Sequence, residues 1–121
     1  MSNADTIRTL DKLKPDSKPP SSVTWQSKRL KLDRRTWSQI KEGGYRQAFY
    51  EHRSARTHVI LNVYTDGVVC LNVNVPGEFG EAAHFNLTVR GKKASAVMTR
   101  ADRKLKQARR LLDNAFPVFN D

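Results

Sequence analysis

Residues 58 to 75, HVILNVYTDGVVCLNVNV, constrain the fold more than any other stretch, because two strands, their turn and their register can be read from them together. Both halves are rich in Val, Ile, Leu and Tyr, and Asp66-Gly67 supplies the positive φ of a tight turn, so the stretch predicts a β-hairpin. A two-residue loop would set Val63, Leu61 and Val59 opposite Cys70, Asn72 and Asn74, mixing aliphatic side chains with amides on one face. A three-residue loop, Thr65-Asp66-Gly67 with Gly67 left-handed as a bulge, pairs them with Val69, Leu71 and Val73 instead. The second register is predicted. It leaves one face wholly aliphatic and gathers Ile60, Asn62, Tyr64, Cys70, Asn72 and Asn74 on the other.

Around this hairpin the chain supplies further elements. Ile7, Leu10 and Leu13 form a short stripe at helical spacing that Pro15 stops, and PDSKPPSS (15 to 22) reads as an extended linker with little to bury. Residues 1 to 22 are therefore expected to be a flexible arm, or a helix that docks, ahead of one basic domain at 23 to 121. Residues 23 to 32 alternate weakly, as an edge strand would. Asp33 is suited to cap a helix over 34 to 42, with Leu32 and Trp37 as a hydrophobic staple, Ile40 buried beside Trp37 and Gly43-Gly44 as the stop. Residues 45 to 52 fit either a helix, by the spacing of Tyr45, Ala48, Phe49 and His52, or a strand; the helical spacing is preferred. Residues 53 to 57 and PGEFGE (76 to 81) read as loops. His84 to Arg90 alternates, with Phe85, Leu87 and Val89 towards the core and Asn86, Thr88 and Arg90 on the amide face. A last helix is expected from a capping box at Thr99 and Asp102, with Ala101, Leu105, Ala108, Leu112, Ala115 and Phe116 on its apolar side and Pro117 ending it.

Composition narrows the possible partners. A chain of 121 residues supports one core, and a hydrophobic share of 38% leaves part of it outside that core. A single cysteine, Cys70, excludes an internal disulfide or a multi-thiolate zinc site, and neither a signal pattern nor a membrane-length apolar run is visible, so a cytoplasmic setting is expected. The net charge is +10. Residues 59 to 89 hold no Lys or Arg, whereas residues 23 to 58 and 90 to 121 each hold nine against three acids, so two cationic segments flank a sheet region without cations. On the last helix Arg103, Lys106 and Arg110 share the side opposite the apolar stripe, with Arg109 nearer its edge, Lys92-Lys93 just before the helix and Arg90 close by. The amides Asn62, Asn72, Asn74 and Asn86 are the second candidate surface, since Asn is depleted in strands and bonds base edges well; Tyr64 beside them is suited to stack on a base. Glu81-Ala-Ala-His84 has the spacing of a carboxylate metal site but no second copy, and His52, His58 and Cys70 lack the company a catalytic site requires.

The order helix, three antiparallel strands, helix resembles that of double-stranded RNA-binding domains, and Lys92-Lys93 lies where such domains carry a basic cluster. Residues 94 to 98 depart from that family's alanine and lysine pattern, and the three-stranded sheet backed by one helix also resembles DNA-binding arms of phage-type integrases, again without a matching motif. The sequence thus predicts an α+β fold: an antiparallel meander of three to four strands packed on a C-terminal helix, with N-terminal helical segments. The expected function is that of a non-enzymatic accessory protein binding DNA or RNA through Arg90, Lys92, Lys93, Arg103, Lys106 and Arg110, with Asn62, Asn72 and Asn74 on the sheet. The alternative is an interaction module or inhibitor that docks on an acidic surface of a larger enzyme. No catalytic residue, metal, cofactor, small-molecule substrate or membrane contact is expected.

Overall fold

The computed structural model describes residues 2–14, 16–39, 47–54, 57–76 and 83–115. Its central hairpin is β4 (His58–Tyr64) and β5 (Val69–Pro76), with Val59 opposite Val73, Leu61 opposite Leu71 and Val63 opposite Val69, the register that follows from the three-residue loop. The Tyr64 N–H donates to the Val68 carbonyl at 2.9 Å, the Gly67 N–H to the Tyr64 carbonyl at 3.0 Å, and Gly67 has φ +99°, which is open to glycine without strain. All six of those aliphatic residues are buried. β6 (Ala83–Gly91) joins antiparallel as expected, placing Leu87 opposite Val73 and Val89 opposite Leu71.

The expected three to four strands become six among the described residues, in one antiparallel meander that follows sequence order. β1 (Ser22–Trp25) and β2 (Lys28–Leu32) form a hairpin in place of the single edge strand expected over 23 to 32. Its two-residue turn holds Gln26 at φ 51° and Ser27 at φ 64°, conformations that Asn and Gly favour and that these residues seldom signal. Gln26 is held there from outside the turn: its Nε2 donates to Asp102 Oδ1 at 2.6 Å. Ser27 is exposed, so Ser27→Gly is expected to relieve the left-handed strain and stabilise the fold by about 0.5–1 kcal/mol, after allowing for the freer unfolded chain. A lowered melting temperature would contradict this origin of the turn.

The second addition, β3 (Gln47–Arg53), corrects the helix expected over 45 to 52. It pairs with β4 along its whole length and with β2 at Tyr50 and Glu51, and its alternation turns Ala48 and Tyr50 inward and Gln47, Phe49 and Glu51 outward; the four-residue spacing that suggested a helix is coincidental. α2 (Arg34–Gln39) begins as predicted, with the Asp33 carboxylate accepting the Arg35 N–H at 3.0 Å and Trp37 and Leu32 against the core. Its expected continuation through Ile40 to Gly43-Gly44 lies outside the described residues, as do Tyr45, most of the loop after Pro76 and everything after Ala115.

α3 (Ala94–Ala115) starts five residues before Thr99, so the capping box is not its cap. The cap comes from Asp11, at the end of α1 (Asn3–Asp11): its carboxylate accepts the Ser95 N–H at 3.1 Å and the Ser95 hydroxyl at 2.8 Å. At the junction with β6, a Cβ on Gly91 would lie 2.8 Å from Val97 Cγ2, so only glycine lets the strand end this close to the helix. α3 packs on β6, yet the Trp25 indole N–H of β1 also donates to the Met98 carbonyl of α3 at 3.0 Å. Six flat strands would separate their edges by about 24 Å, twice a helix diameter of roughly 10–12 Å, so the sheet must curl round α3 to reach it from both ends.

The N-terminal segment is part of this packing, which corrects the flexible arm. Leu10 and Leu13 are buried in the core, and Asn3 closes the edge of β1 by pairing both the N–H and the carbonyl of Thr24 at 2.9 Å. In the linker Pro19 is buried, and the Pro20 carbonyl accepts the Tyr50 hydroxyl at 2.7 Å. Burial pushes the Tyr50 phenol well above the usual tyrosine range. Its neutral form is the folded one, so this contribution is intact below about pH 10, where the unfolded chain begins to ionise, and declines as pH rises towards the folded value. Tyr50→Phe is expected to be less stable at pH 7 by about 1 kcal/mol, from the lost hydrogen bond, and to show a shallower alkaline loss in urea titrations at pH 9 to 11. Parallel alkaline profiles would contradict the assignment.

Candidate nucleic-acid interface

Over its described side chains α3 is amphipathic as its spacing predicts; the side chains of Arg109, Leu112 and Ala115 lie outside those described. Ala94, Val97, Met98, Ala101 and Leu105 are buried, while Arg103, Lys106 and Arg110 are exposed on the far side, flanked by exposed Arg100 and Lys104. One acid, Asp102, stands near this stripe among the residues described in full, and it is engaged: it accepts from Gln26 and pairs with Lys106 Nζ at 3.1 Å. These bonds, that from Gln26 first, hold the Asp102 carboxyl below its ordinary range. Lys92 and Lys93 are exposed at the start of the same helix, and Arg100 turns back to donate to the Arg90 carbonyl.

The amides lie elsewhere. Leu71 and Val73 of β5 enter the core that α3 covers, so Asn72 and Asn74 point from the other face, with Asn62, Asn86, Thr88 and Arg90 beside them. The predicted site residues therefore fall on two surfaces with the sheet between them: Lys92, Lys93, Arg103, Lys106 and Arg110 on the helical side, and Asn62, Asn72, Asn74 and Arg90 on the open side. Three of the amides close a ring. Asn74 Nδ2 donates to Asn72 Oδ1 at 2.8 Å, Asn72 Nδ2 to Asn86 Oδ1 at 3.3 Å, and Asn86 Nδ2 to Asn74 Oδ1. Asn72 also donates to Thr88 Oγ1 at 2.8 Å and to the Leu87 carbonyl at 3.3 Å, which uses up its N–H groups. A bidentate contact from Asn72 to a base would have to break this ring. Asn62 accepts from Gln47.

Gln47, Phe49 and Arg53 also belong to the open face, and sequence reasoning missed them because the 45 to 52 spacing favours a helix; the inward alternation of Ala48 and Tyr50 was the available signal. Arg29 and Lys31 reach that face from β2, opposite Thr24 and Ser22. On the helical side a groove of about 710 Å³ runs between the linker and α2, lined by Pro19, Pro20, Leu32 and Trp37 with Lys18 and Arg34 at hand.

His58 Nε2 lies 2.6 Å from Glu51 Oε2. Among the described residues no group of three His, Cys, Asp or Glu side chains is placed to hold a metal ion, and no helix is long and apolar enough to cross a membrane. Comparison of the chain with protein-family models, curated proteins and solved structures gives no match. The likeness in order to double-stranded RNA-binding domains also ends here, since six strands and an intervening helix replace the three strands it required.

Proposed function

We propose that this protein is a non-enzymatic nucleic-acid-binding accessory protein that grips the phosphate backbone with the solvent face of α3 and with Lys92-Lys93 at its start. The observation that carries this reading is the exposed Arg103, Lys106, Arg110 stripe, whose one nearby acid among the residues described in full is already bonded to Gln26 and Lys106. The seven steps of helix from Arg103 to Arg110 rise about 10 Å, comparable to three base-pair steps of roughly 3.4 Å along a duplex. A rigid helix fixed by Leu105 and Ala101 holds those charges in register at little entropic cost. The self-bonded amide ring argues against duplex readout by Asn72, so contact is to phosphates and independent of base sequence.

Fluorescence anisotropy with labelled duplex DNA and duplex RNA, and with polyglutamate as an acidic polypeptide, tests the proposal. Duplex binding that weakens steeply with salt supports it. Binding of polyglutamate without binding of either duplex at low salt would replace it with docking on an acidic protein surface.

A further inference from the structure

The open sheet face has chemistry that the α3 stripe does not use. Phe49 stands opposite Asn62 and Tyr64 opposite Gln47, so the two rings flank the Gln47–Asn62 amide pair diagonally, with Ile60 and Cys70 alongside. These residues are only half-buried; α1 and α3 pack on the opposite face, and α2, the described helix that contacts β3, turns Trp37 towards the core. Cations rim the patch: Arg29 and Lys31 on β2, Arg53 at the end of β3 and Arg90 on β6. The one described acid on the face, Glu51, is bonded to His58.

We infer that this face is a second nucleic-acid surface and that it takes a single strand rather than a duplex; the inference rests on the proposed nucleic-acid binding and assigns it a further substrate class. Ring faces on an open sheet are matched by unpaired bases, which a duplex keeps stacked away, and stacking of this kind tolerates any base. Asn74 and Asn86 each keep one N–H outside the amide ring, and the Gln47–Asn62 bond uses one N–H of Gln47 and neither of Asn62, so donors face the edges of bases laid across the strands. From β2 to β6 the patch spans four strand spacings, about 19 Å, with cations at both ends to receive the phosphates. An acidic protein would satisfy those cations but would leave the rings and amide donors without matching partners.

The lone cysteine gives a direct test, because Cys70 lies on this face between Asn62 and Arg90. Alkylation of Cys70 in the full chain is timed alone, with saturating 15-nucleotide oligo(dT) or oligo(rU), and with a duplex of equal length, binding being followed in parallel by anisotropy. The single strands are expected to slow modification at least ten-fold and the duplex to leave it unchanged. Phe49→Ala with Tyr64→Ala is expected to weaken oligo(dT) binding at least ten-fold and duplex binding less than two-fold. The inference is overturned if bound oligonucleotide leaves the Cys70 rate unaltered, if duplex protects Cys70 equally, or if duplex binds and single strands do not; in that last case the proposed function still stands. Failure of every nucleic acid to bind removes both. The protection assay needs no substitution, so it supports or overturns the inference even where the double variant is unstable.

Discussion

A protein lacking residues 1 to 21 is expected to lose its cooperative melt. Removal of Leu10 and Leu13, both buried, strips the apolar cover that α1 and the residues after it place on β1 and α3, and each such loss costs about 2–5 kcal/mol. The cut also removes the Asp11 carboxylate that caps α3, worth roughly 1 kcal/mol, and leaves the buried Tyr50 hydroxyl without the Pro20 carbonyl, at about 1–3 kcal/mol. Together these reach the whole stability of a small domain, about 5–15 kcal/mol. Thermal melts followed by far-UV circular dichroism decide the point, and a cooperative transition within a few degrees of the full chain would contradict the docked α1. Asp11→Ala separates the cap from the burial, with an expected loss of about 1 kcal/mol.

The second large effect is on binding. Reversal of Arg103, Lys106 and Arg110 to Glu is expected to weaken duplex binding at least 100-fold near 0.1 M salt, because three attractions to phosphate become three repulsions. Replacing Asn72 and Asn74 by Ala is expected to change duplex affinity less than three-fold, since both lie behind the sheet from α3 and are bonded to one another. The triple variant should still fold. Its side chains are exposed opposite Ala101 and Leu105, and the main structural cost is the Asp102–Lys106 pair becoming like-charged, about 0.2–0.5 kcal/mol for such neighbours on a helix. A melting temperature within a few degrees of the parent therefore separates lost contact from lost structure.

The parts legible in the sequence were those set by residues adjacent in the chain. The β4–β5 register followed from putting Val59, Leu61 and Val63 on one face with Val69, Leu71 and Val73, and the α3 stripe followed from 100° per residue. The parts that were not legible depend on partners far along the chain. Gln26-Ser27 lacks the usual signal of a tight hairpin turn, and Asp102, which holds Gln26 in place, is 76 residues away. The start of α3 is hidden because its cap, Asp11, comes from 84 residues upstream, while Asp102, the apparent capping acid, serves the turn and Lys106. The Ile7, Leu10, Leu13 stripe was visible, but whether it docks depends on a receiving surface that only the curled sheet and α3 create. For the site, the charges were legible and their division between two faces was not: Arg90 and Lys92 are near neighbours in sequence, yet Arg90 faces with the amides while Lys92 leads into α3.

The measurement that bears most directly on α3 as the phosphate anchor is the salt dependence of duplex affinity for the parent and the Arg103→Glu, Lys106→Glu, Arg110→Glu variant, on one duplex over 50 to 300 mM salt. Each neutralised phosphate contributes roughly 0.9 to the log–log slope, so losing three contacts should make the variant's slope shallower by about 2.7. Equal slopes and equal affinities, with both proteins folded, would show that the exposed cations of α3 are only a solvated helix face.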